Sequence, residues 1–140
     1  YKHENGKYVV PTPLEDQLRL SGYIDQLFLY GDNKPFNVAL VVPDYDACRA
    51  WAAQQGETLA SPADIAASKR VHKLIGDEIV RFAGEFKGYE IPKAWALLAE
   101  GFTTENDLLT PKMSVKRRNV QTRYAELLDQ LYANTPDRGA

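Results

Sequence analysis

The sequence is poor in the residues that build metal and redox sites. Cys48 is the single cysteine among 140 residues, which excludes an intrachain disulfide and a paired-cysteine metal motif. The two histidines, His3 and His72, lie at an unrelated spacing and match no cysteine or carboxylate pattern typical of metal sites. We therefore expect a protein of a reducing compartment, and we interpret Cys48 as a small packed residue.

Long apolar runs and a strong charge of one sign are also missing. No run approaches the roughly 20 apolar residues that span a bilayer. A formal net charge of −2 argues against bulk electrostatic binding to nucleic acid or membranes. The apolar content of 44% and the charged content of 26% are typical of a globular domain. The chain opens at Tyr1 without an initiating Met, so we expect it to be part of a longer polypeptide.

Several short strands are predicted from turn residues and apolar patterns. An Asn5-Gly6 pair predicts a two-residue hairpin turn, because both residue types tolerate positive φ. A nearly continuous apolar run at residues 38–42 predicts a strand that is covered on both faces. The predicted strands are residues 7–10, 24–30, 36–42 and 94–98.

Helix starts are marked by capping residues. A capping box at residues 12–15 predicts a first helix, and Asp44 is the predicted N-cap of a second. A start at residues 61–64 and one apolar face from 71 to 86 predict a third helix, and residues 120–131 predict the last. The expected class is α+β, with a small mixed sheet and an N-terminal β-hairpin flanked by several helices. A two-layer α/β sandwich is the alternative.

A cluster of cations precedes the last predicted helix. Its members are Lys112, Lys116, Arg117 and Arg118, which follow a Thr-Pro pair. A solvated first helical turn is the plain interpretation. Cations oppose the helix dipole at this end, so a turn that binds phosphate or carboxylate is the alternative. A nucleic-acid patch is a third interpretation, although the cluster contains no aromatic residue to stack a base.

The Asn5-Gly6 turn has two interpretations of its own. A purely structural hairpin fully explains the presence of Asn and Gly at this turn. The functional interpretation is that Gly6 lets the backbone approach a ligand closely. No Ser/His/Asp set and no Walker-type loop is recognisable, so we expect that the chain alone is not a complete catalyst.

Three segments match the consensus of a known family. Residues 4–15 (ENGKYVVPTPLE) are similar to lENGKYVaPxPIE, and residues 31–44 (GDNKPFNVALVVPD) are similar to GDnrkylsALIvPd. Residues 102–118 (FTTENDLLTPKMSVKRR) are similar to FTvENglLTPtlKlKRr. Together, over about residues 2–132, they resemble the C-terminal domain of bacterial long-chain fatty-acid–CoA ligases, which are AMP-forming, adenylate-forming enzymes.

The resemblance implies a role for one lysine of the cluster. The wider superfamily carries its catalytic lysine in a PKTxSGKIxR motif, and Lys116 stands where that lysine would be. The segment departs from the motif at two points: Val115 replaces the glycine, and the spacing from Pro111 to Lys116 is one residue shorter. Lys112 is therefore the alternative. By the same resemblance, Gly6, Lys7 and Tyr8 line part of the CoA tunnel in the thioester-forming state.

The resemblance also implies the reaction and the domain organisation. A fatty carboxylate and ATP with Mg²⁺ give an acyl-adenylate, from which CoA then displaces AMP. The fragment alone is expected to hold no cofactor and to be inactive. Residues 1–134 are expected to form a mobile C-terminal lid and residues 135–140 a frayed tail. The ATP- and fatty-acid-binding N-terminal domain of the same polypeptide would be the partner and is absent from this sequence.

The resemblance also implies a cellular location, and two alternative functions remain open. The resemblance implies a cytoplasmic enzyme, with peripheral association at the inner face of the membrane as a further expectation, and no nucleic-acid partner. Another adenylate-forming enzyme, such as an acyl-AMP ligase or an aryl-CoA ligase, is the nearest alternative. A freestanding module that binds anions or nucleic acid through the basic cluster is the alternative from a different class.

Overall fold

The computed structural model describes residues 1–135 and has the expected α+β architecture. Its strands are β1 (Ile24–Tyr30), β2 (Val38–Pro43) and β3 (Ala94–Leu97). Its helices are α1 (Pro11–Leu18), α2 (Tyr45–Gln54), α3 (Pro62–Ala67), α4 (Lys69–Ala83), α5 (Arg117–Arg123) and α6 (Ala125–Ala133). The predicted tail begins at residue 135, and residues 136–140 lie outside the described part of the chain.

The three strands form one mixed sheet with β2 in the centre. β1 pairs with β2 antiparallel, with Leu27 opposite Val41, and β2 pairs with β3 parallel, with Leu40 opposite Ala96. Every residue of β2 is buried, as the continuous apolar run predicted. The mixed sheet confirms the expected class.

Helices cover both faces of this sheet, so the two-layer alternative is wrong. The odd-numbered residues of β2, Ala39 and Val41, face one core that α1, α2, α3 and α4 complete. The even-numbered residues face a second core that includes Val120 of α5 and Leu128 of α6. Because α1 contributes its fully buried Leu14 and Leu18, each worth about 2 kcal/mol, this helix is fixed on the sheet.

The local signals at helix starts are confirmed in some places and wrong in others. Asp44 caps α2 by accepting a hydrogen bond from the Ala47 N–H at 3.0 Å, as predicted. The capping box at residues 12–15 is wrong, because α1 begins at Pro11 and has no side-chain cap hydrogen bond. A proline at the first helical position, with its preset φ, replaces the cap.

Two predicted helices are each divided into two. Ser68 interrupts the third predicted helix, since its hydroxyl accepts from the Val71 N–H at 3.2 Å and starts α4 anew. α4 ends at Ala83, so Phe86 lies beyond it, although Phe82 and Phe86 both pack on the first core. The last helix breaks at Tyr124 into α5 and α6. Periodicity continues across both breaks, which is why the sequence pattern did not reveal them.

Membrane-spanning helices and metal-binding clusters are both absent from residues 1–135. Among residues 1–135, no helix combines the length and apolar character needed to cross a membrane. Within the same residues, no group of three or more His, Cys, Asp or Glu side chains could hold a metal ion.

The Cys48 thiol is buried, and burial, followed by the nearby Asp44 carboxylate, raises its pKa to about 12. This thiol is therefore protonated and unreactive at neutral pH.

Candidate functional site

The first candidate element is the hairpin at the start of the chain. The His3 N–H donates to the Lys7 carbonyl at 2.9 Å, and the Gly6 N–H donates to the His3 carbonyl at 2.9 Å. An antiparallel bridge between Lys2 and Tyr8 closes its base. The predicted strand over residues 7–10 is therefore reduced to a single bridge, and the hairpin itself is confirmed.

The loop of this hairpin has three residues rather than the two predicted. Gly6 has a φ of +88°, whereas Asn5 is not among the residues of the described chain with positive φ. This is a turn followed by a left-handed residue, the usual form of a three-residue hairpin. A Cβ added at Gly6 would meet nothing within 4 Å, so backbone conformation, not space within the domain, favours glycine here.

A second hairpin with the same hydrogen-bond pattern carries the first cation of the basic cluster and precedes the other three. The Thr110 N–H donates to the Ser114 carbonyl at 2.8 Å, and the Met113 N–H donates to the Thr110 carbonyl at 2.8 Å. An antiparallel bridge joins Leu109 to Val115. Met113 takes the left-handed position with a φ of +67°, and its side chain is exposed. Lys112 therefore lies on the loop of this hairpin, and Lys116 follows its base.

Lys116 occupies the N-cap position of α5 and is held in place. Its backbone N–H donates to the Leu108 carbonyl at 2.9 Å, and its ammonium forms an ion pair with Asp107. Asn119 orients that carboxylate by donating to the Asp107 carbonyl at 2.8 Å and to Oδ2 at 3.2 Å. The Lys116 side chain is 36% exposed, so an external anion could compete with Asp107 for it.

Arg117 connects the cluster to α1. Its guanidinium donates to the Glu15 carboxylate and lies 5.4 Å from the centre of the Phe28 ring. Glu15 is buried and also accepts from the Leu29 N–H at 2.8 Å. A buried carboxylate needs such partners, because an unpaired buried charge costs several kcal/mol. Arg117 is therefore a structural cation.

The remaining cations of the cluster project into solvent. Lys112 and Arg118 are exposed, and neither has a carboxylate oxygen within 4 Å among residues 1–135. The cluster thus divides into two paired residues and two solvated ones. The cations at this helix start are balanced by Asp107 and Glu15, which explains how they tolerate the opposing dipole. The solvated-face interpretation holds only for Lys112 and Arg118.

A cleft separates the second hairpin from α1. It encloses about 290 Å³, and its lining includes Met113 and Ser114 of the hairpin and Thr12 and Asp16 of α1. Arg117 and Glu15 form part of its lining. Its lining combines acidic Glu15 and Asp16 with basic Arg19 and Arg117, so the cleft is a mixed-charge surface.

The first hairpin borders a different cavity, which is rich in lysine and aromatic side chains. This cavity encloses about 460 Å³ and shares no lining residue with the cleft beside α1. The Lys7 ammonium lies 4.8 Å from the centre of the Tyr89 ring, and that of Lys87 lies 5.8 Å from it. The Lys93 ammonium lies 5.5 Å from the centre of the Phe36 ring. Cations on aromatic faces keep most of their N–H donors available to an anion.

The three residues of this hairpin that were predicted to bind CoA therefore differ in their position relative to the cavity. Lys7 lines the cavity, whereas Gly6 and Tyr8 lie on the exposed part of the hairpin outside the lining. Sequence reasoning missed Tyr89 and Lys93, which lie more than 80 positions away from Lys7. No local sequence pattern connects these residues with the hairpin, because the contact is made through the fold.

Comparison with known proteins agrees with these features. The sequence profile described as "AMP-binding enzyme C-terminal domain" matches residues 2–74. Long chain acyl-CoA synthetase 7, peroxisomal, of Arabidopsis thaliana is 32% identical over 95% of this chain and 19% of that protein. Fatty acyl-CoA synthetase A of Dictyostelium discoideum is 36% identical over 95% of this chain and 21% of that protein. The chain thus spans about a fifth of the length of these relatives.

Solved structures give the same result for the fold. The adenylation domain of a carboxylate reductase from Mycobacterium chelonae superposes with a TM-score of 0.78 at 27% identity, over 95% of this chain and 19% of that one. The adenylation domain of a carboxylic acid reductase from Segniliparus rugosus, in complex with AMP and a carboxylic acid, gives 0.78 at 27% identity, over 96% of this chain and 20% of that one. The profile covers more than half of the 140 residues. The chain belongs to the family of C-terminal domains of AMP-binding, adenylate-forming enzymes.

Proposed function

We propose that this chain is the C-terminal lid domain of an AMP-forming long-chain fatty acid–CoA ligase. Residues 1–134 would form the mobile domain, and the N-terminal domain of the same polypeptide would bind ATP and the fatty acid. The relatives named as long-chain and fatty acyl-CoA synthetases, at 32% and 36% identity, support this substrate class. The carboxylate reductases are more distant at 27% identity and share the adenylation step.

The observation that carries the proposal is the pair of similar hairpins, which border two separate cavities. One is followed by a lysine held by a single exposed carboxylate, and the other borders a lysine- and aromatic-lined cavity. A two-step ligase needs one site for a phosphoryl group and another for CoA. A lid that rotates between the steps could present one hairpin to each reaction.

In the adenylation step, Lys116 is proposed as the catalytic residue. An oxygen of the fatty carboxylate attacks the α-phosphorus of ATP, and the bond to the leaving pyrophosphate breaks. Negative charge develops on the oxygens around phosphorus, and the Lys116 ammonium would exchange Asp107 for these oxygens. Mg²⁺ would accompany ATP, held mainly by the N-terminal domain, because residues 1–135 contain no suitable ligand group. Lys112 remains the alternative lysine.

In the thioester step, the first hairpin is proposed to face CoA. The CoA sulfur attacks the acyl carbonyl carbon of the adenylate, and AMP leaves. Gly6 would leave room for the pantetheine arm, with Lys7 and Tyr8 beside it. Lys7, Lys87 and Lys93 around Tyr89 and Phe36 suit the phosphates and the adenine ring of CoA, which combine anionic charge with an aromatic face.

The proposal is tested with the full-length protein that carries this domain. We expect palmitate-dependent exchange of pyrophosphate into ATP, and CoA-dependent release of AMP. The 140-residue chain by itself should give no acyl-CoA above a control without protein. Activity with aryl acids only would indicate an aryl-CoA ligase. Exchange without any CoA-dependent step would indicate an acyl-AMP ligase, and nucleic-acid binding without exchange would refute the enzyme assignment.

The location follows from the same proposal. A cytoplasmic enzyme that takes fatty acids from the inner face of the membrane would associate with that face peripherally. Fractionation of cells that express the full-length protein tests this directly. Release from the membrane fraction by salt or carbonate is expected, and retention after carbonate treatment would contradict a peripheral association.

A further inference from the structure

A buried polar network lies beneath the first hairpin. His3 and Asn37 are 3% and 0% exposed, respectively, and His3 Nε2 lies 2.7 Å from Asn37 Oδ1. The same oxygen accepts from the Tyr1 hydroxyl at 2.7 Å. Asn37 Nδ2 donates to the Glu90 carbonyl at 2.7 Å. One amide group is thus shared between the hairpin and the segment that precedes β3.

This network fixes the proton of the histidine ring. Because Asn37 Nδ2 donates to the Glu90 carbonyl, its Oδ1 must act as the acceptor. His3 therefore donates through Nε2–H. Its Nδ1 is buried and has no hydrogen-bond partner within the described chain. Burial, followed by the nearby Glu15 carboxylate, raises the pKa of Tyr1, so its phenol also remains a donor. Two donors therefore meet at a single acceptor, the Asn37 Oδ1 oxygen.

The backbone is shaped around the Asn37 side chain. A Cβ at Gly31 would lie 2.1 Å from Asn37 Oδ1 and 3.0 Å from His3 Nε2, so only glycine fits at that position. The Asn37 carbonyl also accepts from the Lys93 N–H at 2.9 Å. Asn37 therefore joins three segments: the hairpin, the β1–β2 loop and the segment before β3. These three segments carry the walls of the lysine- and aromatic-lined cavity.

We propose that His3 is a positioning residue for this cavity, acting through the Asn37 amide. His3 does not line the cavity itself. Its backbone instead closes the hairpin that carries Lys7, and its ring packs edge-on against Tyr89 at a centroid distance of 6.2 Å. The Nε2–H donor sets the position of Lys7 relative to Tyr89 and Lys93. The proposal rests on the assignment of this cavity to CoA in the proposed function.

The test uses the full-length enzyme with two substitutions at one position. His3→Leu fills the site but has no donor, whereas His3→Gln places an amide N–H close to the position of Nε2. We expect His3→Leu to raise the KM for CoA about tenfold, because a buried acceptor loses a donor and the cavity walls shift. Pyrophosphate exchange should change less than about twofold. His3→Gln should restore the KM for CoA to within about threefold of the wild type.

A general loss of stability is separated from this role by a control substitution elsewhere in the first core, at a residue outside the hydrogen-bond network. Ile79→Val removes one methylene group from the buried face of α4, far from the network in sequence and within the first core. It should leave the KM for CoA unchanged. Equal KM values for His3→Leu and His3→Gln, or a raised KM in Ile79→Val, would overturn the proposal. A wild-type enzyme without a CoA-dependent step would instead overturn the proposed function.

Discussion

The two hairpins share a backbone and differ in what surrounds them. In each, the residue before the three-residue loop donates its backbone N–H to the carbonyl of the residue after the loop, four positions later. The last residue of each loop has a positive φ. Lys7 of the first hairpin lies on an aromatic ring, whereas Lys116 after the second is paired with a carboxylate. The same turn therefore lies in two different chemical environments, an aromatic one at Lys7 and an acidic one at Lys116.

The left-handed position sharpens this comparison. Met113 occupies it in the second hairpin with a φ of +67°, so the turn itself does not demand glycine. Gly6 in the first hairpin has open space around it within the domain. A side chain could therefore be accommodated by the isolated domain at a strain of about 1 kcal/mol. The open space at Gly6 fits the proposed approach of the pantetheine arm from outside the domain.

The largest expected effect is at Lys116. In the full-length enzyme, Lys116→Ala should lower fatty-acid-dependent pyrophosphate exchange by a hundred- to thousandfold, or roughly 3–4 kcal/mol, because a preorganised cation is lost from the transition state. Thioester formation from pre-made acyl-adenylate should be largely retained. Lys112→Ala is the matched control from the same loop and should have little effect. A large loss for Lys112 with a mild loss for Lys116 would transfer the catalytic role.

The next effect is at Gly6. Gly6→Leu should slow CoA-dependent release of AMP by about tenfold or more, because backbone strain and steric occlusion act together. Gly6→Ala, which adds strain with little bulk, should have a smaller effect. Pyrophosphate exchange measured on the same preparations should survive in both variants. An equal fall in both half-reactions would indicate a folding defect and refute the assignment of this hairpin to CoA.

An exchange of residue types at the left-handed positions tests the shared backbone. Gly6→Ala should destabilise the 140-residue chain by about 1 kcal/mol. Met113→Gly should change the free energy of unfolding by less than about 0.5 kcal/mol, since relief of strain offsets the greater freedom of the unfolded chain. Urea denaturation measures both values. Similar losses in the two variants would mean that the hairpins do not share one conformation.

The smallest effect is expected at Asp107. Asp107→Asn removes the charge that holds Lys116 and keeps a residue type that tolerates the φ of +64° at this position. Exposed ion pairs contribute at most about 1 kcal/mol, so the KM for ATP should fall by no more than about fivefold. Steady-state kinetics of the adenylation step measures this. A large loss of activity would show that Asp107 positions Lys116 for catalysis instead of competing with the phosphate.

Prediction from sequence was most successful where the signal was local. The buried strand β2 and the cap at Asp44 follow from neighbouring residues, and both are confirmed. The breaks at Ser68 and Tyr124 were missed, because the apolar periodicity continues through them. The break at Ser68 is set by a hydrogen bond to the serine hydroxyl, and apolar periodicity carries no information about such bonds.

The candidate site was predictable only in part, because its contacts are long-range. The two hairpins follow from turn residues, although the first has a three-residue loop. The partner of Arg117 is Glu15, which lies 102 positions away. The contact of Lys7 with Tyr89 depends on the way in which Asn37 joins three segments. Such pairings are set by the packed sheet and its loops, and no local sequence pattern predicts them.

The most direct test of the division of labour is a crossed measurement of both half-reactions. Lys116→Ala and Gly6→Leu are prepared in the same full-length enzyme, and each is assayed for pyrophosphate exchange and for thioester formation from pre-made acyl-adenylate. We predict that Lys116→Ala loses the first and keeps the second, and that Gly6→Leu does the reverse. If both variants lose the same half-reaction, or each loses both equally, the two hairpins do not serve separate steps.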